Sequence, residues 1–320
     1  MTTQEPTYNR LTLTAAVQLM APQTWVAAIA PVVIGTALAI GTGAWTPLTL
    51  LASPRAIAVV LLMLVTACAA QSAVNTLNDY VDFQAGTDTA DNVVDVTDQA
   101  LIYHRLNPRS ARNLAITCLF IALVCGLTVT ALSNAPIPTL LLGLLGLAAV
   151  LTYSAGPAPI STLPLGEVVS GTVMGIAITA ATVLALTGRL PFIAAVATLV
   201  PFITIALIMQ TNNTNDIARD IEAGRRTLPI YLGESRSASL IATGNVVALA
   251  IAFALCLARW RFGTPVVLVA AALSYGNIRL LATGPYGPEN RPRLMQAIVR
   301  QAAIINYLFA LSILLGAHFA

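Results

Sequence analysis

The chain has 320 residues, of which 57% are hydrophobic and 9% charged, with a mean hydropathy of +0.81 and a net charge of +3. A soluble domain carries about 25% charged residues, so this composition excludes one and indicates an integral membrane protein. All sixteen basic residues are arginine, which excludes a lysine Schiff base, and so weak and scattered a positive charge gives no sign of a nucleic-acid partner.

A spanning helix needs about 20 mainly apolar residues. The sequence predicts nine, near residues 22–42, 55–77, 112–133, 137–155, 164–187, 190–211, 237–260, 263–283 and 299–319. No basic stretch and cleavage site precede the first, so it reads as a retained helix and not a signal peptide. The piece LTLTAAVQLM before Pro22 has the pattern of a short interfacial helix. Cys68, Cys118, Cys125 and Cys256 fall within apolar runs without CxxC spacing and read as packed side chains. The loops are too short for a soluble domain, so residues 1–320 are expected to form one helical membrane domain.

Arginine sets the orientation, because cytoplasmic loops carry the excess of basic residues. With the N-terminus inside, Arg10, Arg105, Arg109, Arg112, Arg219, Arg225, Arg226, Arg236, Arg279, Arg291, Arg293 and Arg300 are cytoplasmic, against Arg55, Arg189, Arg259 and Arg261 outside. All thirteen acids fall on or near the same cytoplasmic side.

Two polar stretches interrupt this apolar chain. NTLNDYVDFQAGTDTAD begins at residue 75, at the end of the second span, and NNTNDIARDIEAGRRT begins at residue 212, at the end of the sixth. On a continuous helix Asn75, Asn78, Asp79, Asp82 and Gly86 share one face, and Asn212, Asp216, Arg219 and Asp220 share another. A carboxylate near a bilayer faces a bundle interior or a water-filled cavity, so the two faces are expected to enclose one polar cavity. Asp91, Asp95, Asp98, Glu222 and Glu234 read as solvated loop acids. Facing carboxylates repel each other unless a cation lies between them. Hard oxygen donors suit Mg²⁺, which binds through one or two carboxylates plus substrate phosphates, and arginine forks suit phosphate oxygens. The expected cargo is a diphosphate.

NDYVDFQAGTD resembles the first aspartate-rich motif of the UbiA-type intramembrane prenyltransferases, and NNTNDIARDIEAGRRTLPIYLG resembles their second. The second is most similar to that of the 1,4-dihydroxy-2-naphthoate prenyltransferases of menaquinone synthesis. The likeness extends through APQTW, YSAGP and LGE and covers most of the chain. The resemblance implies an all-α bundle of nine transmembrane helices around a central, laterally open cavity. It implies transfer of a polyprenyl group from an allylic polyprenyl diphosphate to an aromatic acid acceptor. By position, Asp79, Asp82, Asp216 and Asp220 would be the catalytic and Mg²⁺-binding residues. Asn75, Asn78, Asn212, Arg225 and Arg226 would bind the diphosphate.

The sequence departs from the family pattern at several points. Gly86 stands where many members have the last aspartate of the first motif, and Asp88 is expected to substitute. The family's RPxT reads APQT here, with Ala21 for the arginine, and Asn215 replaces an arginine of the second motif. The first motif lacks the arginine that usually follows it, and Arg105 is expected to supply that charge to phosphate or to the acceptor carboxylate. Arg109 is a second candidate for the carboxylate and His104 for proton removal, while Tyr80, Tyr153 and Glu167 are candidate cavity residues with equally good structural roles.

Another acceptor, such as 4-hydroxybenzoate or a different quinone precursor, is the nearest alternative activity. An ion-coupled transporter is the remote one, since its acids would be expected near the bilayer midplane in broken helices.

Overall fold

The computed structural model describes residues 8–86, 100–154, 156 and 159–319. Asp88, Asp91, Asp95 and Asp98 lie outside the described residues. Nine helices among the described residues are long and apolar enough to cross a membrane: α1 (Pro22–Gly41), α2 (Pro54–Gln84), α3 (Pro108–Leu132), α4 (Pro136–Tyr153), α5 (Gly166–Thr187), α6 (Phe192–Asn215), α7 (Leu228–Arg259), α8 (Arg261–Thr283) and α9 (Arg291–His318). Proline opens α2, α3 and α4 at the first helical turn, where its missing N–H costs no hydrogen bond. Ser53 and Asn107 cap α2 and α3 through their side chains. LTAAVQLM before α1 forms the expected short helix, Leu13–Met20, capped by Thr12, with Ala15 and Leu19 buried and Leu13 exposed.

Helix α2 packs along α3, α6 lies against α7 and α9, and α9 closes onto α1, which in turn packs on α5. Trp260 and Phe309 are fully buried in a core with Ile34, Val183, Ala252 and Ile313, so the α6–α9 side of the bundle is tightly filled. The α5–α6 contact is close because Gly171 and Gly175 face Phe202. A Cβ on Gly175 would lie 2.5 Å from the Phe202 backbone. Around these glycines, Gly171–Ala177 is wound as a π-helix.

Two helices run further than their apolar stretches. Helix α2 continues past residue 77 to Gln84 and α9 begins at Arg291 and not near 299, whereas α7 is interrupted by non-helical backbone at Gly233 (φ 74°, ψ 166°), close to the start its apolar run predicts. Apolarity ends where the lipid ends, but backbone hydrogen bonding continues as long as the side chains find water or partners. Both extensions emerge at one end of the bundle, beside the end of α6, and they carry Asp79, Asp82 and Arg291 of the site.

Candidate active site

A cavity of about 410 Å³ lies between α2, α3, α4, α5 and α6. Its walls are apolar, with Ala67, Ala70, Leu119, Leu147 and Val173 among them, while Asn75, Asn78, Asp79, Asn212, Asn213 and Arg225 form its polar head. Leu123, Leu127 and Leu144 line the same cavity and are also exposed. The gap between α3 and α4 is therefore a lateral opening.

The first motif stays helical as far as Gly86, whose left-handed backbone (φ 71°) ends the helix. Asp79 and Asp82 are buried. Asp79 accepts from the Leu101 N–H, and Asp82 accepts from Asn78 Nδ2 at 3.1 Å and from Arg225 Nη2 at 2.5 Å. Asn78 also accepts from the Ser154 hydroxyl, which ties the motif to the end of α4. Asn75 has a different occupation. Its amide donates to Met20 O and Thr24 Oγ1 and accepts from Gln71, so it anchors the short N-terminal helix to α2.

The second motif is not one helical face. Helix α6 ends at Asn215, Asp216 is non-helical (φ −103°, ψ 11°), and a new short helix runs over Ile217–Glu222. The break separates the acids. Asp216 faces Arg291 at 3.4 Å, and Arg291 also donates to Asn212 at 2.7 Å. Asp220 accepts from Thr227 at 3.0 Å and from Arg225 at 3.5 Å. Burial pushes the Asp220 carboxyl up to about 6, with the Asp216 charge adding to the rise, while Arg225, Thr227 and Arg219 pull it down.

Gly224, in the left-handed region (φ 69°), turns the chain so that Arg225 enters the cavity head. The Arg226 backbone N–H bonds Thr162 O, and its side chain is exposed. Arg105 is exposed, and neither Arg105 nor Arg226 lines the cavity. The left-handed backbone of Arg105 (φ 48°) belongs to a turn whose carbonyl receives the Asn9 N–H. Arg109 lies outside the cavity too, in a separate surface pocket with Arg112 and Tyr8, and His104 pairs with Gln18.

One site residue escaped the sequence reading, and another was read only as a candidate cavity residue. Arg291 stands 75 residues beyond Asp216 and read only as an orientation charge. Glu167 is buried and accepts from Asn213 at 2.8 Å. A lone acid at the start of an apolar run, within the LGE stretch, was the signal for it.

The charge between the facing motifs is supplied by Arg225, and this tests whether a divalent cation suits the place. Among the described residues no three His, Cys, Asp or Glu side chains are gathered closely enough to hold a metal by themselves. Magnesium does not require such a cage, because it commonly binds one or two carboxylates and completes its shell with phosphate oxygens and water. The donors at the head are hard oxygens, and the guanidinium between Asp82 and Asp220 marks where positive charge is favoured. The residues fit.

A nine-helix bundle with two aspartate motifs at the polar head of a laterally open apolar cavity has the form of an intramembrane enzyme for amphiphilic diphosphates. The UbiA prenyltransferase family matches residues 28–296, and the chain belongs to that family. It is 32% identical to the 1,4-dihydroxy-2-naphthoate octaprenyltransferase of Bacillus subtilis (strain 168), over 72% of this chain and 70% of the relative. It is 29% identical to the enzyme of the same name from Escherichia coli (strain K12), over 94% and 96% of the two chains. A UbiA homolog from Archaeoglobus fulgidus, solved bound to GPP and Mg²⁺, superposes with a TM-score of 0.65 at 18% identity, covering 95% of this chain and 99% of that one. Membership of this family favours a prenyltransferase over an ion-coupled transporter.

Proposed function

We propose that this protein transfers a polyprenyl group from an allylic polyprenyl diphosphate to 1,4-dihydroxy-2-naphthoate, with Mg²⁺, at the cytoplasmic face of the cell membrane. The observation that carries the reading is the meeting of the two motifs, Asp82 and Asp220, on either side of Arg225 at the mouth of an apolar cavity. The names of the two relatives support the naphthoate acceptor. The excess of arginine at the motif end of the bundle supports the orientation.

The isoprenoid tail enters between α3 and α4 and lies along the apolar wall, with its diphosphate at the polar head. Asp79, Asp82, Asp216 and Asp220 are the carboxylates available to hold magnesium, which when bound would neutralise charge developing on the departing diphosphate. Arg225 presents a guanidinium fork to the phosphate oxygens. As the allylic C–O bond breaks, its electron pair leaves with the diphosphate. An electron-rich ring carbon then forms the new C–C bond, and that ring carbon loses its carboxylate as carbon dioxide. The leucine and alanine walls exclude the water that would trap the allylic cation.

The test is purified protein in detergent with Mg²⁺, a labelled prenyl diphosphate and a panel containing 1,4-dihydroxy-2-naphthoate and 4-hydroxybenzoate. A prenylated, decarboxylated naphthoquinol is the expected product mass. Turnover of 4-hydroxybenzoate alone would reassign the acceptor, and no diphosphate release with any acceptor would overturn the reading.

A further inference from the structure

Glu167 is buried, 4% exposed, in the first turn of α5. Its Oε1 accepts from Asn213 Nδ2 at 2.8 Å, and its Oε2 has no hydrogen-bond partner among the described residues. Asn213 lines the cavity, and among the described residues this is the only hydrogen bond of its side chain. The carboxyl Oε1 is an acceptor, so it holds the Asn213 amide with nitrogen toward Glu167. Rotating the amide would set Oδ1 against a carboxylate oxygen. The carbonyl oxygen is therefore kept free as an acceptor. The pairing is rigid because Gly171 and Gly175 press α5 onto the Phe202 backbone of α6, the helix that carries Asn213.

The surroundings are rich in hydroxyls. Tyr153, Ser161 and Ser170 line the same part of the cavity, and the Tyr153 hydroxyl donates to Met209 Sδ, one turn before Asn213. Next to Tyr153, Ser154 bonds Asn78 of the first motif, so this corner adjoins the diphosphate head. An outward-facing acceptor oxygen with a carboxylate behind it repels an anion and favours an O–H donor. We infer that Glu167 is a positioning residue that fixes the Asn213 amide so that its carbonyl accepts a ring hydroxyl of the aromatic acceptor.

The inference rests on the proposed prenyl transfer to a dihydroxy aromatic. Glu167→Gln supplies an amide that can turn either face to Asn213 and should raise the acceptor KM about tenfold, the upper range for one neutral hydrogen bond. The donor KM should stay within about twofold. Asn213→Ala should match it, and adding Glu167→Ala to Asn213→Ala should cost nothing more, because one residue acts through the other. The dimethyl ether of the acceptor, as a competitive inhibitor, should bind wild type and Glu167→Gln equally. A rise in donor KM alone would place Asn213 on the diphosphate, and an equal rise in both would reduce Glu167 to a packing residue; either overturns the inference. If the Glu167 variants do not fold, Asn213→Ala decides, since an unchanged acceptor KM excludes the contact. If wild type turns over no acceptor, the proposed function fails. Thermal-shift binding of 1,4-dihydroxynaphthalene to wild type and Asn213→Ala then still decides the subsite.

Discussion

Arg225 reaches Asp82 across 143 residues of sequence, with Nη2 2.5 Å from Oδ1, and its other terminal nitrogen lies 3.5 Å from Asp220. Both carboxylates are buried. Removing one member of a buried pair leaves the other uncompensated, at a cost of about 3–5 kcal/mol. Asp82→Asn and Arg225→Gln should each lower unfolding stability in detergent, and the double variant should lose less than the sum by about 1–3 kcal/mol. Additive losses would mean that the pair does not link the two motifs.

Activity should require a divalent cation, because Arg225 and Arg291 against four carboxylates leave the head too negative for a diphosphate. EDTA should abolish diphosphate release and Mg²⁺ restore it. Titrating Mn²⁺ by electron paramagnetic resonance should show binding strengthened by prenyl diphosphate. Unchanged turnover after exhaustive chelation would remove the metal from the mechanism.

Two arginines that the sequence ranks in one order should behave in the other. Arg105→Ala should leave both KM values within about twofold, as an exposed side chain that does not line the cavity allows. Arg291→Ala frees Asn212 and Asp216 from their shared partner and should lower kcat by about 10²- to 10³-fold, comparable with loss of a transition-state hydrogen-bond donor. A larger effect at Arg105 would return the acceptor or phosphate contact to that residue.

The Asp220 carboxyl, raised to about 6 by burial, gives opposite pH trends for folding and for metal binding. The folded chain holds this proton up to about pH 6, whereas an unfolded aspartate releases it near 3.9. Metal-free protein therefore loses stability from this group as pH rises between those values. Cation binding needs the carboxylate, so Mn²⁺ affinity should fall as pH drops through about 6. Asp220→Asn should flatten both trends. A Mn²⁺ affinity independent of pH between 5 and 7 would exclude Asp220 as a ligand.

Mutating acids at different depths separates site from surface. Asp82→Asn and Asp220→Asn should each reduce turnover by about 10²- to 10³-fold. Glu222→Gln, on the exposed side of the same short helix, should change it less than about twofold. Equal losses at all three positions would mean that burial does not mark the catalytic acids.

Lipid as a solvent made the architecture legible from composition alone. It demands apolar runs of a set length, so nine spans and their polar ends could be read without any contact being known. The two aspartate motifs were legible because a carboxylate beside an apolar run is costly without a cavity to face. Pairing was not legible. A helical wheel carried Asn212, Asp216 and Asp220 along one face, but the non-helical backbone at Asp216 sends one acid to Arg291 and the other to Arg225. Nor did the sequence show that both amide hydrogens of Asn75 go to Met20 O, at the end of the short N-terminal helix, and to Thr24 Oγ1, at the start of α1. Arg291 and Glu167 reach the motifs only because α9 crosses α6 and because glycines let α5 approach the same helix. Spacing along one helix can predict which side chains share a face; which partner neutralises a buried charge depends on close packing between helices distant in sequence.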